Sequence, residues 1–279
     1  MGTGKYLVKT YIRAISEVIA AFFVLLFLFK IFEVLPTGEW ENKTVKFRLT
    51  GYLVMLLLPV FMILLDRSGF IKYGITLKNS SLDVDTALSC FIPSLAIAAA
   101  LHLTNWRNWG GALIVAAIEA AVMVIVIYII NKNSNINRNS NRTKNLVLLS
   151  CIIIVGGLLQ ALFGRMISDI VSSFVRFFII VAPAEEFFFR GYVQTKLNDV
   201  FEKNFHLPGV NFGWGLIVSS LLFGVMHVFN SYNPFLCSYD ISLPWGIWTI
   251  ILGFILGLIR EKTNSLTAPV ILHAVINFF

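Results

Sequence analysis

The sequence predicts an all-α protein: a polytopic transmembrane helical bundle, with about 8–9 membrane helices around a central polar cavity. Three observations predict this. Of 279 residues, 57% are hydrophobic and only 13% charged, where a soluble domain carries about 25% charge; mean hydropathy is +0.80. Apolar stretches of about 17 to 25 residues, the length a bilayer core demands, recur from one end of the chain to the other. Within those stretches sit a few ionisable side chains, foremost Glu185, Glu186 and Arg190. Such groups cost several kcal/mol at bilayer depth, so three together need a reason.

Nine apolar segments follow in order. The first, roughly residues 15–35, comes after Lys5, Lys9 and Arg13 in signal-peptide fashion. Its apolar run is longer than a signal core and no clear small-residue cleavage site follows, so it is expected to remain as a helix. The second, 51–65, and the last, 266–279, are short for perpendicular crossing and imply tilt, a kink or re-entry. Segments 87–103 and 109–130 complete an N-terminal unit, residues 1–130, in which Glu119 is an isolated intramembrane acid. Residues 131–144 form an Asn-rich basic loop with Lys132, Arg138, Arg142 and Lys144. Its composition favours turns and solvation, hence a flexible cytoplasmic linker. Residues 145–279, with segments 146–163, 168–194, 212–229, 244–260 and 266–279, hold every candidate catalytic residue.

Loop charge gives an orientation. With nine spans, the N-terminal basic residues, the Asn-rich loop, Lys196, Lys203, Arg260 and Lys262 fall on one side, whereas Asn230 to Leu243 carries no Lys or Arg. The positive-inside rule then predicts a multi-pass integral membrane protein with a cytoplasmic N-terminus. The loop with Lys43, Lys46 and Arg48 runs against the pattern and carries Glu39 and Glu41 as well. A net charge of +7 comes without a basic stripe of interleaved aromatics, so nucleic acid is not an expected partner. Cys90, Cys151 and Cys237 are too far apart to form a metal or redox pair.

Chemistry concentrates in three places. On a helix Glu186 and Arg190 are four apart and share a face, while Glu185 is turned about 100° away. That spacing pairs Glu186 with Arg190 and leaves Glu185 facing elsewhere, as a general base would. Pro183 frees a carbonyl near Ile179 and allows a bend that admits water. Phe223 and His227, then His273 and Asn277, are likewise one turn apart. An imidazole and an amide on one face are donors able to stabilise an oxyanion. The bland readings are a Glu–Arg pair that locks helices and a His satisfied in a core. Lys30 and Glu33 are expected to snorkel and His102 and His206 to sit at the interface. The three phenylalanines 187–189, with Trp214, Trp245 and Trp248, are expected to be packing, lipid-facing or interfacial groups.

The set Glu185-Glu186-xxx-Arg190, Phe223-xxx-His227 and His273-xxx-Asn277 resembles the three motifs of the CAAX protease and bacteriocin-processing (CPBP, or ABI) family, whose eukaryotic member is the type II CAAX prenyl endopeptidase. The resemblance covers roughly residues 145–279. It implies an intramembrane glutamic endopeptidase acting on a membrane-associated peptide or lipidated protein, CAAX-type prenylated substrates included. Under it Glu185 activates water with His227, His273 and Asn277 form the oxyanion hole, and Glu186 and Arg190 support them. No cofactor is implied; substrate-binding residues are not assigned. Two alternatives stand beside it. One is a zinc metalloprotease with Glu185, His227 and His273 as ligands. The other is a non-enzymatic bacteriocin-immunity or scaffold protein with a buried polar network.

Overall fold

The computed structural model describes residues 2–76, 78, 80–132 and 142–279. The predicted linker falls mostly outside them, since residues 133–141 are not described. Almost everything described is helical. Helix α1 (Gly2–Val34) is followed by the short α2 (Pro36–Thr44), whose Pro36 at the first turn lacks only a donor that the helix would leave unpaired. Next come α3 (Leu49–Leu65), α4 (Ser80–Ser89), α5 (Phe91–Leu103), α6 (Trp109–Lys132) and α7 (Arg142–Leu162). A continuous 35-residue helix, Ile167–Phe201, then carries the Glu doublet. It consists of α8 (Ile167–Phe174), a π-helical stretch Val175–Val181, α9 (Ala182–Glu186), a second π-helical stretch Phe187–Gln194 and α10 (Thr195–Phe201). Helices α11 (Trp214–Val228), α12 (Leu243–Thr263) and α13 (Thr267–Phe278) complete the chain. Two small antiparallel hairpins lie between spans. Strand β1 (Phe205–Leu207) pairs with β2 (Val210–Phe212), and β3 (Tyr232–Asn233) with β4 (Ser238–Tyr239).

Each of the nine apolar segments is a helix, but they are not alike in length. Among the described residues five helices are long and apolar enough to cross a membrane, and α4 with α5, bent by 50° at their junction, add a sixth if they form one broken span. Helices α3, α11 and α13 have 17, 15 and 12 residues, below the roughly 20 that a perpendicular crossing takes. By length and composition alone, five or six helices qualify as spans among the described residues, with these three as shorter apolar helices beside them.

Burial sorts the helices. The most apolar window of α12 is 67% buried, against 11% for α7, so α12 is the axis of the bundle and α7 a lipid-facing wall. Exposed Leu, Ile, Val and Phe along α1, α3, α6 and α7 are what a bilayer surface requires. Helix α12 meets α11 through small residues. A Cβ on Gly224 would come within 2.7 Å of the Gly246 carbonyl oxygen, and one on Gly246 within 2.2 Å of Val228 Cγ2. Close backbone approach of this kind is the main source of helix attraction where lipid is as apolar as the side chains. The buried residues form two apolar clusters. One is built on α6 and α12, with parts of α5 and α13. The other joins α1, α3 and the second π stretch. The seam between them holds the polar residues of the next section.

Several sequence expectations change here. Lys30 and Glu33 do not snorkel: Lys30 is buried and donates to the Asn230 carbonyl at 2.9 Å. Glu33 takes Arg48 Nε at 2.6 Å and the Asn233 amide at 2.5 Å, which pins the loop after α11 to the end of α1. A long cation finding a carbonyl and a carboxylate nearby has no need to reach for water. Phe187, Phe188 and Phe189 are all buried, and Trp214 is exposed. Glu119 is fully buried with neither oxygen hydrogen-bonded among the described residues.

Candidate active site

Glu185 and Glu186 are the last residues of α9, a five-residue α-turn held between two π-helical stretches. Pro183 accounts for part of this. It offers no N–H to the carbonyls one turn back, so the regular ladder is interrupted there. An i→i+5 ladder widens the helix on either side, and π segments recur where side chains must be re-aimed at a functional centre.

Both carboxylates are buried, Glu186 completely. Glu186 Oε1 lies 3.1 Å from Arg190 Nη1 and 2.7 Å from His273 Nδ1. The Arg190 contact is an ion pair without hydrogen-bond alignment, because Nη1 has no hydrogen-bond partner. Arg190 is itself fully buried, donates through Nη2 to the Gly253 carbonyl at 3.2 Å, and lies over the Phe223 ring at 4.4 Å. Two charges removed from water need such complete surroundings, since either alone would be strongly destabilising.

Glu185 points away from this pair. Its Oε2 is 3.5 Å from His273 Nε2, and Tyr52 of α3 lines the cavity beside it. His273 thus stands between the two acids, one ring nitrogen toward each. His227 is fixed by its own helix: Nδ1 is 2.8 Å from the Phe223 carbonyl. A carbonyl only accepts, so Nδ1 bears the proton and the Nε2 lone pair is left free. The Phe223 ring touches both imidazoles, at 4.5 Å from His227 and 5.9 Å from His273 between centroids, and spaces them apart.

Glu185, His227, His273 and Asn277 all line one cavity of about 370 Å³. Glu186 and Arg190 lie behind its wall. Sequence reasoning missed several other lining residues. Tyr52 comes from α3 and Arg176 from the first π stretch; neither belongs to a motif, and no spacing in the sequence connects them to Glu185. Trp245 and Trp248, expected to be packing or interfacial groups, also line the cavity, as does His102 at the end of α5. Among the described residues no group of three or more His, Cys, Asp or Glu side chains is arranged to hold a metal ion.

Residues 167–279 match the protein family described as type II CAAX prenyl endopeptidase, Rce1-like. No curated protein and no solved structure matches the chain. The matched part begins with α8 and contains all seven motif residues. This part is similar to a CAAX-type membrane protease domain, and the match together with the long apolar helices supports an integral membrane protein. The resemblance drawn from residue 145 thus narrows to residue 167, and α1 to α7 lie outside the match.

Proposed function

We propose that this protein is an intramembrane glutamic endopeptidase that hydrolyses a peptide bond in a membrane-associated substrate. The observation that carries the reading is convergence. A buried carboxylate from one helix and imidazoles from two others open on one cavity within a protease-family domain.

In this reading Glu185 takes a proton from a water that also donates to the free Nε2 of His227. The hydroxide attacks the substrate carbonyl, and the oxyanion forms toward His273 Nε2 and the Asn277 amide. Glu186 has a role that follows from its contacts. Beside Arg190, its Oε1 accepts from Nδ1–H of His273. Nε2 then donates to the oxyanion only when the ring is doubly protonated, and the Glu186 carboxylate stabilises that cation. Collapse of the tetrahedral intermediate needs a proton on the departing amine, which Glu185 returns. No metal has a part in these steps.

The test is cleavage of a prenylated C-terminal peptide in proteoliposomes. Replacing Glu185 by Gln keeps the shape and removes the base. General-base catalysis contributes about 10²–10⁴-fold, so cleavage in Glu185→Gln should fall by that order. An Asn277→Ala variant should lose about 10²–10³-fold in kcat, the usual effect of one oxyanion donor. Undiminished cleavage in Glu185→Gln removes the proposal. Stoichiometric zinc, lost together with activity on chelation, would restore the metalloprotease alternative.

The loop charges favour a cytoplasmic N-terminus, and the cavity lining includes Asn230, which Lys30 near the far end of α1 contacts. Two substrate classes meet such a cavity, and the face of its mouth separates them. A mouth on the cytoplasmic side receives prenylated tails; one on the far side receives membrane peptides that have been exported. The loop charges point to the second and the family match to the first, so a prenylated tail and an unprenylated membrane peptide are both assayed.

A further inference from the structure

The cavity holds a cation that the hydrolytic reading does not use. Arg176 lies in the π-helical stretch Val175–Val181 and lines the same cavity as Glu185. Its guanidinium is over the rings of Phe47, at 5.5 Å, and Phe177, at 5.0 Å. Its Nε is buried with no hydrogen-bond partner, and it forms no ion pair with a carboxylate among the described residues.

The other cations near the cavity are occupied or peripheral. Lys30 donates to the Asn230 carbonyl at 2.9 Å, and Arg48 holds Glu33 at 2.6 Å. Arg190 is taken by Glu186. Arg107 lies over Trp106 and Trp245 at 5.2 and 5.9 Å and is exposed at the mouth. A half-buried guanidinium without a counter-charge leaves its donors open to a ligand. Its planar fork, backed here by two aromatic faces, suits a carboxylate or phosphate.

Placement narrows the choice. Nine residues apart on a regular α-helix, Arg176 and Glu185 would face about 180° apart. Through the π stretch each residue turns by only about 80°, as an i→i+5 ladder requires, which brings the two to within about a quarter-turn. Tyr52 of α3 lines the same cavity as both. The nine residues span at most about 14 Å along the axis, and an extended peptide covers that in about four residues.

We infer that Arg176 is the receptor for the C-terminal α-carboxylate of the peptide substrate and thereby sets the register of the scissile bond over Glu185. This rests on the hydrolase reading for the word substrate, but the anion site stands on its own contacts. A piece of about four residues or fewer would leave with the carboxylate.

Binding is measured so that it does not need turnover. The Glu185→Gln protein is placed in phosphatidylcholine nanodiscs with a fluorescein-labelled, farnesylated peptide bearing three residues after its cysteine. The peptide is supplied as the free acid and as the C-terminal amide, and anisotropy is read. The acid should bind about 10–100-fold tighter, the scale of a lost charge-assisted pair. Adding Arg176→Gln should erase the difference, and Arg176→Lys should keep part of it. Equal binding of acid and amide overturns the assignment, as does an Arg176→Gln variant that weakens both alike. If phosphatidylglycerol nanodiscs abolish the advantage of the acid, a lipid phosphate occupies the site and the assignment falls. Cleavage by the unaltered protein is scored separately. An acid preference that depends on Arg176, without Glu185-dependent hydrolysis, keeps the anion site and removes the hydrolase reading.

Discussion

Glu186 is the residue on which the others lean: one oxygen meets both Arg190 and His273, while the second has no hydrogen-bond partner. A buried anion so placed ties the second π stretch to α13 and fixes the ring of His273. Replacing it by Gln leaves an acceptor for Nδ1–H but no charge for Arg190. Breaking a buried pair from one side costs about 3–5 kcal/mol, so Glu186→Gln should melt several degrees lower in detergent. In protein that remains folded, kcat should fall by at least about tenfold with KM little changed, because only the charged ring gains from the carboxylate. A folded Glu186→Gln variant with full kcat would remove the charged-ring account of His273. The pairing of Glu186 with Arg190 was legible from their spacing, since four residues define one helix face. The contact of Glu186 with His273, 87 residues away, was not, because nothing local links them.

At the scale of elements, the site depends on how α11 and α12 meet. Phe223 and His227 are on α11, and Gly253 on α12 supplies the carbonyl that Arg190 uses. Both are positioned by the Gly224–Gly246 approach. A side chain at Gly224 would strike Ile250 Cγ1 at 2.2 Å and the Gly246 carbonyl at 2.7 Å. Overpacking usually costs about 1–3 kcal/mol. Gly224→Leu should therefore lower the thermal midpoint in detergent and, by displacing His227, reduce cleavage. An unchanged midpoint would show that the helices separate without loss, contrary to their packing. The long helix makes a different point. Its apolar run and its acids were evident from the sequence, yet the two π stretches were not. They arise where Pro183 and tertiary contacts override the 3.6-residue period, and the faces of Arg176 and Glu185 follow from them.

At the scale of the whole molecule, orientation decides which substrates reach the cavity. Cys237, in the loop between α11 and α12, is exposed, Cys90 is buried, and Cys151 lies in the lipid-facing α7. A membrane-impermeant maleimide should label Cys237 in intact cells, with Cys237→Ser as the blank. Labelling only after permeabilisation would put the mouth on the cytoplasmic side and make prenylated tails the substrate. The sequence by itself determined the membrane class, the course of the apolar segments and the spacing of the seven motif residues. Hydropathy and helical spacing are properties of neighbouring residues, and no tertiary contact is needed to read them. Tertiary structure alone decided that α12 is the axis, that Lys30 and Glu33 stay inside to hold a loop, and that Tyr52, Arg176 and Trp245 join Glu185 around one cavity. These residues come from helices far apart in the chain, and only packing of the two apolar clusters, with polar groups confined to the seam, brings them together.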